Sequence, residues 1–395
     1  MPKATQKQTK EHNTRLILKT IYNQDMTSRA EIARTTRLTK TTVSSIVVDL
    51  MQEGLVEEIG FGNSDGGKPP ILLSVVDDAR CFIGIDLANS EFRGAIVNLR
   101  GDIVQRFSLS VSGRDGVSAL ELIYTLIDKL LAVSDKPICG IGIGTPGLID
   151  PHKGVIRRAV NLDWQDLPLR SLLEERYSLP CYIANDCQAA ALGEYTFGEN
   201  SATSNLVVLK VGRGIGSGIV LNGQLYYGDG YSAGEIGHLV VIEDGEMCAC
   251  GNSGCLETVA STRALARRAR EIVQSDPDSK LFQFITTPDE INTDILLQAL
   301  EAGDEDVKNV IAEAGYYLGV ALANLVGVLN VQHIVIAGSA ARFGLTLLTP
   351  IKNSMRRHSL SILADETRVD FSSFGQDIVI KGAASLLLAN ELHLV

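Results

Sequence analysis

Residues 234–257, GEIGHLVVIEDGEMCACGNSGCLE, constrain this chain more than any other stretch. His238, Cys248, Cys250 and Cys255 fall within 18 residues, and three of the seven cysteines occupy eight consecutive positions. Thiolate sulfur and imidazole nitrogen are the donors zinc prefers, and four of them fill a tetrahedral shell. Gly251 and Gly254 let the backbone turn back so that Cys250 and Cys255 can face one ion. A filled shell has no open position for water, so the pattern predicts a structural metal site rather than a catalytic one. Three buried thiols or a disulfide are the plainer alternative. Glu235 and Glu257 bracket the cluster. Two carboxylates at the ends of a metal-pinned loop are placed to meet a ligand.

The other cysteines, at 81, 139, 181 and 187, stand singly and fit reduced thiols. The start, Met1-Pro2-Lys3, runs into polar residues rather than a signal-peptide core, and no apolar run suggests a membrane span. The expectation is a cytoplasmic protein without membrane insertion. Its net charge of −11 argues against general nucleic-acid affinity. That average hides an asymmetry. Residues 1–48 hold nine Lys and Arg against three acids, a net +6, so −17 resides on the remainder. A basic head on an acidic body points to a DNA-contacting module.

Leu16, Ile17 and Ile21 mark a helix over about 9–22. Ser28-Arg29-Ala30-Glu31 has the form of a capping box opening a second helix, 28–35. Leu38 ends the turn, and Thr39 is placed to cap a third helix, 40–53, with Val43, Ile46, Val47, Leu50 and Met51 inward and Gly54 as its terminator. Two strand-like runs, 55–59 and 71–75, flank the glycine-rich tip 60–70. The exposed start of the third helix, Thr39, Lys40, Thr41, Thr42, Ser44 and Ser45, suits phosphate and base-edge contacts. Ser28 and Arg29, opening the second helix, and Lys68 in the tip complete the candidate DNA-binding set. A small helical protein-interaction domain is the alternative. These residues resemble the winged helix-turn-helix heads of bacterial repressors, which sets a first domain at 1–80.

Residues 81–395 carry the same pattern twice. Residues 81–90 start a strand with a polar loop, then come runs at 92–99 and 103–111, a helix over 116–132 and a buried strand at 138–145. The second copy begins at 206–211, passes Gly212-Arg213-Gly214-Ile215-Gly216-Ser217-Gly218, turns at Asn222-Gly223 and resumes at 224–227. Helices at about 258–274 and 309–329 precede a strand at 334–337. The duplication predicts an α/β fold of two lobes with a cleft between them. On the helix 309–329, Tyr317, Val320, Leu325 and Val328 form an apolar stripe that serves either the core or a subunit interface, with the core as the default expectation.

Asn185-Asp186, Ala233-Gly234-Glu235-Ile236-Gly237-His238 and Cys248-x-Cys250-Gly-x-x-Gly-Cys255-Leu-Glu257 resemble the ROK family of repressors, open reading frames and kinases, with its actin-like, ribonuclease H-like, hexokinase-type body. The resemblance covers 81–395 as one sugar-binding domain, with the metal loop at 238–255. It implies a cleft for a monosaccharide or derivative, structural zinc, and a homodimer or homotetramer. By motif it makes Asp186 the catalytic base of a kinase, and Asn161, Asn185, Asp186, Glu235, His238 and Glu257 the sugar contacts. Gly147 matches a further contact in the loops lining the cleft. One His238 nitrogen would bind zinc and the other a sugar hydroxyl. Taken alone, Asn185-Asp186 reads first as a turn or helix cap.

The phosphate loops depart from the kinase pattern. Asp86 is kept, but Ala88 and Asn89 replace glycines and Ser90 a threonine. Gly212, Gly214 and Gly216 are kept, but Arg213 stands at a small hydroxyl position and Ser217 at a glycine. A Cβ obstructs close backbone approach to a phosphate. Arg213 can meet a phosphate or fill the nucleotide's space, and glycines there also serve a plain hairpin. The expectation is loss of Mg-ATP binding. The chain then reads as a sugar-responsive transcriptional regulator, a repressor of carbohydrate uptake or catabolism genes that binds operator DNA. The alternative is an ATP-dependent hexose or amino-sugar kinase using Asp186. Control by a protein partner, such as a sugar-transport component, is a third reading.

Overall fold

The computed structural model describes residues 5–63, 69–88, 90–199, 203–276 and 279–394. The head holds three helices, Gln6–Gln24, Arg29–Thr36 and Lys40–Gln52, and a sheet ordered Thr27–Ser28, Ile71–Val75, Val56–Phe61. Thr39 Oγ1 accepts from Thr42 N (3.1 Å), and Ile32, Val43, Ile46, Val47 and Leu50 are buried. The capping box over 28–31 forms by half. Ser28 Oγ accepts from Glu31 N (3.2 Å), but the Glu31 carboxylate turns to Arg34 (2.8 Å). The outer hairpin is the wing; Lys68 and Gly66-Gly67 lie outside the described residues.

Head and body share a core across the expected boundary at residue 80. Ile17, Ile21, Leu73 and Val75 belong to one apolar cluster with Phe82, Val97, Leu99, Leu387 and Leu394. The Tyr22 hydroxyl donates to Leu99 O (2.8 Å), and Arg100 Nη1 donates to Tyr22 O (2.8 Å) and pairs with Asp25 (2.9 Å). The junction is therefore packed rather than a free linker.

The body repeats one sheet twice. The first is ordered Cys181–Asn185, Ile138–Thr145, Cys81–Leu87, Glu91–Asn98, Ile103–Ser110. The second is ordered Arg368–Phe371, His333–Ala337, Leu206–Val211, Ile215–Leu221, Gln224–Leu225. In each, three parallel strands are followed by two antiparallel ones. The helices Asp186–Phe197 and Ile378–Leu387 pack on each other between the sheets, through Ala189, Ala190, Ile378, Val379 and Leu386. The carboxyl ends of the central strands face the cleft, the usual ligand position in such sheets.

Three expectations change. The single helix over 258–274 is two, Leu256–Ala260 and Thr262–Ser275, because Ser261 leaves helical geometry (ψ 155°) and its Oγ caps Ala264 N (3.1 Å). The helix Glu305–Leu329 is long and apolar enough to cross a membrane by length and composition, yet 56% of its apolar window is buried inside the body. Its core stripe is Leu318, Ala321, Leu322 and Val326. Tyr317, Val320 and Leu325 sit at the edge of that stripe, half-buried, and Val328 is 81% exposed.

Candidate functional site

His238, Cys248, Cys250 and Cys255 come together, with their donor atoms all within 4.8 Å of one another. Cys248 Sγ lies 3.7 Å from His238 Nδ1, and Cys250 Sγ lies 3.6 Å from Cys255 Sγ. Four ligands at zinc bond lengths are separated by ~3.8 Å between sulfurs, whereas a disulfide needs ~2.05 Å. The donors fit a tetrahedral ion and exclude the disulfide alternative. The fold-back of the loop depends on Gly254, whose φ is +74° and whose Cβ, if present, would collide with Ile242 O. The Cys250 thiol is lowered to about 7, first by the Asn252 backbone N–H and then by its neighbouring ligands, while burial pushes Cys255 up to about 12. His238 Nδ1 is on the metal side. Its Nε2 lies 4.0 Å from Glu235 Oε2.

Three carboxylates converge beside this loop. Burial raises the Glu235 carboxyl above its ordinary value; His238 opposes the rise, and Asp186 and Glu257 add to it. Glu235 stays 52% exposed, with both oxygens available. Glu257 is spent on the fold. Its Oε2 accepts from Ile215 N (3.0 Å) and its Oε1 pairs with Arg263 (3.1 Å). Asp186 opens its helix under the cleft floor, with Oδ2 2.6 Å from Lys210 Nζ. Burial pushes Asp186 up, but Lys210 and the Cys187 hydrogen bonds outweigh it and hold the carboxyl below its ordinary value.

Asn185 takes the structural role that its sequence context offered. Its Oδ1 caps the helix by accepting from Cys187 N (2.9 Å) and Gln188 N (3.4 Å), and its Nδ2 donates to Gly147 O (3.0 Å). Gly147 lies against Arg158 and Ala159, two residues before exposed Asn161. The amide thus ties the Asn161 loop to the cleft floor.

The second glycine loop is the turn between Leu206–Val211 and Ile215–Leu221, closed by Gly212 N donating to Gly214 O (2.9 Å). A Cβ at Gly216 would lie 2.7 Å from Cys187 Sγ, so that glycine lets the hairpin reach the helix. Ser217, a departure from the kinase pattern, is buried and donates to Gly234 O (3.0 Å). It clamps the loop that carries Glu235. Arg213 is exposed, without a hydrogen bond or ion pair among the described residues. Asp86 is 1% exposed and pairs with Arg93 (2.5 Å). Asn89 lies outside the described residues.

Spacing alone did not single out Lys210, Arg93 or the ring cluster His152, Tyr227 and Tyr231. Lys210 did leave a signal, as the one charge in the buried strand LVVLKV. So did Arg93, which falls directly opposite Asp86 once the hairpin register is drawn. The His152 ring stands 5.4 Å from Tyr231 and 6.4 Å from Tyr227, and Gln188 Nε2 donates to Tyr231 O (3.2 Å).

On the head, Lys40, Thr41, Ser44 and Ser45 are exposed at the start of the third helix. Thr39 and Thr42 bond each other (2.9 Å). Ser28 is a cap, and Arg29 is drawn to Glu58 (2.9 Å) on the wing strand.

The ROK family model matches residues 82–390. The xylose repressor of Caldicellulosiruptor bescii is 34% identical over 387 residues, 97% of each chain. The glucokinase of Halalkalibacterium halodurans is 36% identical over 317 residues, 79% of this chain and 96% of that one. The crystal structure of a ROK family transcriptional regulator, a homologue of the E. coli MLC protein, superposes with a TM-score of 0.85 at 26% identity over 98% of both chains.

Proposed function

The chain belongs to the ROK family, and from that premise we propose that it is a sugar-responsive transcriptional repressor acting on operator DNA in the cytoplasm. The observation that carries this is the similarity of the whole chain, helical head included, to repressors, together with Glu235 and His238 Nε2 left partly exposed beside a cluster of metal-ligating residues. Zinc on Cys248, Cys250, Cys255 and His238 Nδ1 holds their loop. Carboxylates read a polyol through paired hydrogen bonds and reject analogues that lack a hydroxyl. The third helix enters the major groove by its N-terminus. A sugar acts only by binding two conformations with different affinity.

The test is fluorescence anisotropy on fragments selected from random DNA, with and without a panel of monosaccharides, amino sugars and their phosphates. Ser45→Glu places a carboxylate at the phosphate-facing helix start and is expected to weaken operator binding by ~10-fold or more. DNA binding that no sugar in the panel alters removes the sensor half of the reading.

Subunits pair, on this reading, through the apolar surface where Val328 (81% exposed) adjoins Leu360 (71% exposed). Val328→Glu is expected to shift the assembly to monomers in sedimentation velocity. An unchanged sedimentation coefficient places the interface elsewhere.

A sugar-kinase reading is favoured by the 36% identity to a glucokinase and by retained Asp186. It predicts sugar-dependent ADP release that disappears in Asp186→Asn. Absence of that release removes it.

A further inference from the structure

Two partly buried cations sit where none of the roles above requires them. Lys210 Nζ lies 2.6 Å from Asp186 Oδ2, with the lysine 24% and the aspartate 14% exposed. Arg93 Nη2 lies 2.5 Å from Asp86 Oδ2, and Arg93 Nη1 donates to Gln376 Oε1 (2.7 Å). Asp86 Oδ1 is buried without a hydrogen-bond partner. The two pairs share one field: burial raises the Asp86 carboxyl, Lys210 and Arg93 both oppose the rise, and Asp186 acts on it as a like charge. They also join the lobes. Asp86 and Arg93 stand on the first sheet, Lys210 on the second, and Asp186 opens the helix that follows the first lobe's edge strand.

Phosphoryl transfer needs carboxylates that are free to order a divalent metal and to take a hydroxyl proton. Here each such carboxylate has a cation from its own chain. A divalent ion between them would meet Lys210 and Arg93 at close range, so like-charge repulsion would oppose its entry. Buried charges left without partners are costly, and these pairs remove that cost without an ion.

Building on the sugar-sensor reading, we propose that Lys210 and Arg93 are resident counter-cations standing in for a metal–nucleotide, so that the cleft takes its sugar effector without divalent metal or nucleotide. Lys210 is the positioning residue, tying the second lobe to the cleft floor. Its removal leaves Asp186 without its cation beside Asp86, whose Oδ2 keeps Arg93 and whose Oδ1 is orphaned, a local excess of oxygen donors that suits a hard cation such as Mg²⁺.

The experiment melts the full-length, zinc-loaded protein in rising MgCl₂. The wild-type Tm is expected to stay flat. Lys210→Met is expected to melt lower and to regain about 2 °C or more with millimolar Mg²⁺. Lys210→Arg is expected to keep the wild-type behaviour, and Lys210→Met with Asp186→Asn to lose the response. A wild-type response as large as that of Lys210→Met, or a folded Lys210→Met that ignores Mg²⁺, overturns the assignment. A second measurement is independent of variant folding: the wild-type sugar Kd with and without Mg-ATP. A change below twofold supports the proposal, and tightening of tenfold or more overturns it. A wild type that binds no sugar yet shows the Mg²⁺ contrast between chains removes the sensor reading and leaves the counter-cations standing.

Discussion

Replacing Cys250 by Ser is expected to empty the metal site, lower Tm by about 10 °C and abolish the response to sugar. Cys250 is the informative ligand because it is exposed, whereas Cys248 and Cys255 are buried. Serine nearly matches it in size, so a loss of stability reports the metal rather than packing. Apart from the metal ligands the loop is held by backbone turns, such as Cys248 N to Asn252 O (2.8 Å) and Gly254 N to Glu246 O (2.8 Å), rather than by regular sheet. Two isolated bridges, Val240 with Cys255 and Met247 with Ser253, are its only strand-like pairings among the described residues. The consequence reaches the cleft through the covalent chain. Glu235 lies three residues before His238, and Glu257 two residues after Cys255. Glu257 in turn holds Ile215 N, at the mouth of the second glycine loop. The checks are metal analysis, thermal melting and the sugar-induced shift in Tm. A variant that keeps one zinc per chain and a full response refutes the ligand assignment.

Glu235→Ala is expected to raise the effector Kd by ~30- to ~1,000-fold, corresponding to ~2–4 kcal/mol for the loss of a charged hydrogen-bonding partner that a bound effector would cover. Operator affinity without sugar is expected to stay within about twofold, because Glu235 lies far from the head's contacts in the fold. Glu235 is preferred over its neighbours for a geometric reason. Glu257 has both oxygens engaged, and Asp186 gives one to Lys210. Glu235 meets only His238, at 4.0 Å. Its carboxyl is raised by burial and by Asp186 and Glu257, so it protonates at a higher pH than an ordinary glutamate. The protonated acid is a poorer acceptor, and effector affinity should fall as pH drops through that raised value. Titration calorimetry at a series of pH values measures both effects. Unchanged affinity in Glu235→Ala removes Glu235 from the site.

Much of this site is written within short windows of sequence. Metal ligands within an 18-residue span, a glycine at each turn and a capping threonine before an amphipathic helix all act locally, and each stands in the structure where its spacing placed it. The duplicated strand pattern sufficed for two lobes because period-two runs and hairpin turns are local as well. The misplaced stripe on Glu305–Leu329 has a different origin. A nearly all-apolar helix leaves its rotation undetermined until its neighbours are known, and the core chose Leu318, Ala321, Leu322 and Val326 over Val328.

Asn185 shows the limit at the cleft. An Asn-Asp pair at a helix start serves as cap or ligand contact alike, and only the meeting of its amide with Gly147, 38 positions away, shows how the side chain is used. Ser217 read as a damaged phosphate loop, but contact with Gly234 makes it a clamp. Periodicity and spacing along the chain indicated the three head helices, the two lobes and the cluster of metal-ligating residues, while the winged form of the head and the carboxylates expected at the cleft rested on resemblance to known families. The tertiary structure decided which of those carboxylates are free. Lys210 and Asp186 meet only where the lobes join, and Coulomb attraction between buried charges depends on distances through space that no pattern along the chain encodes.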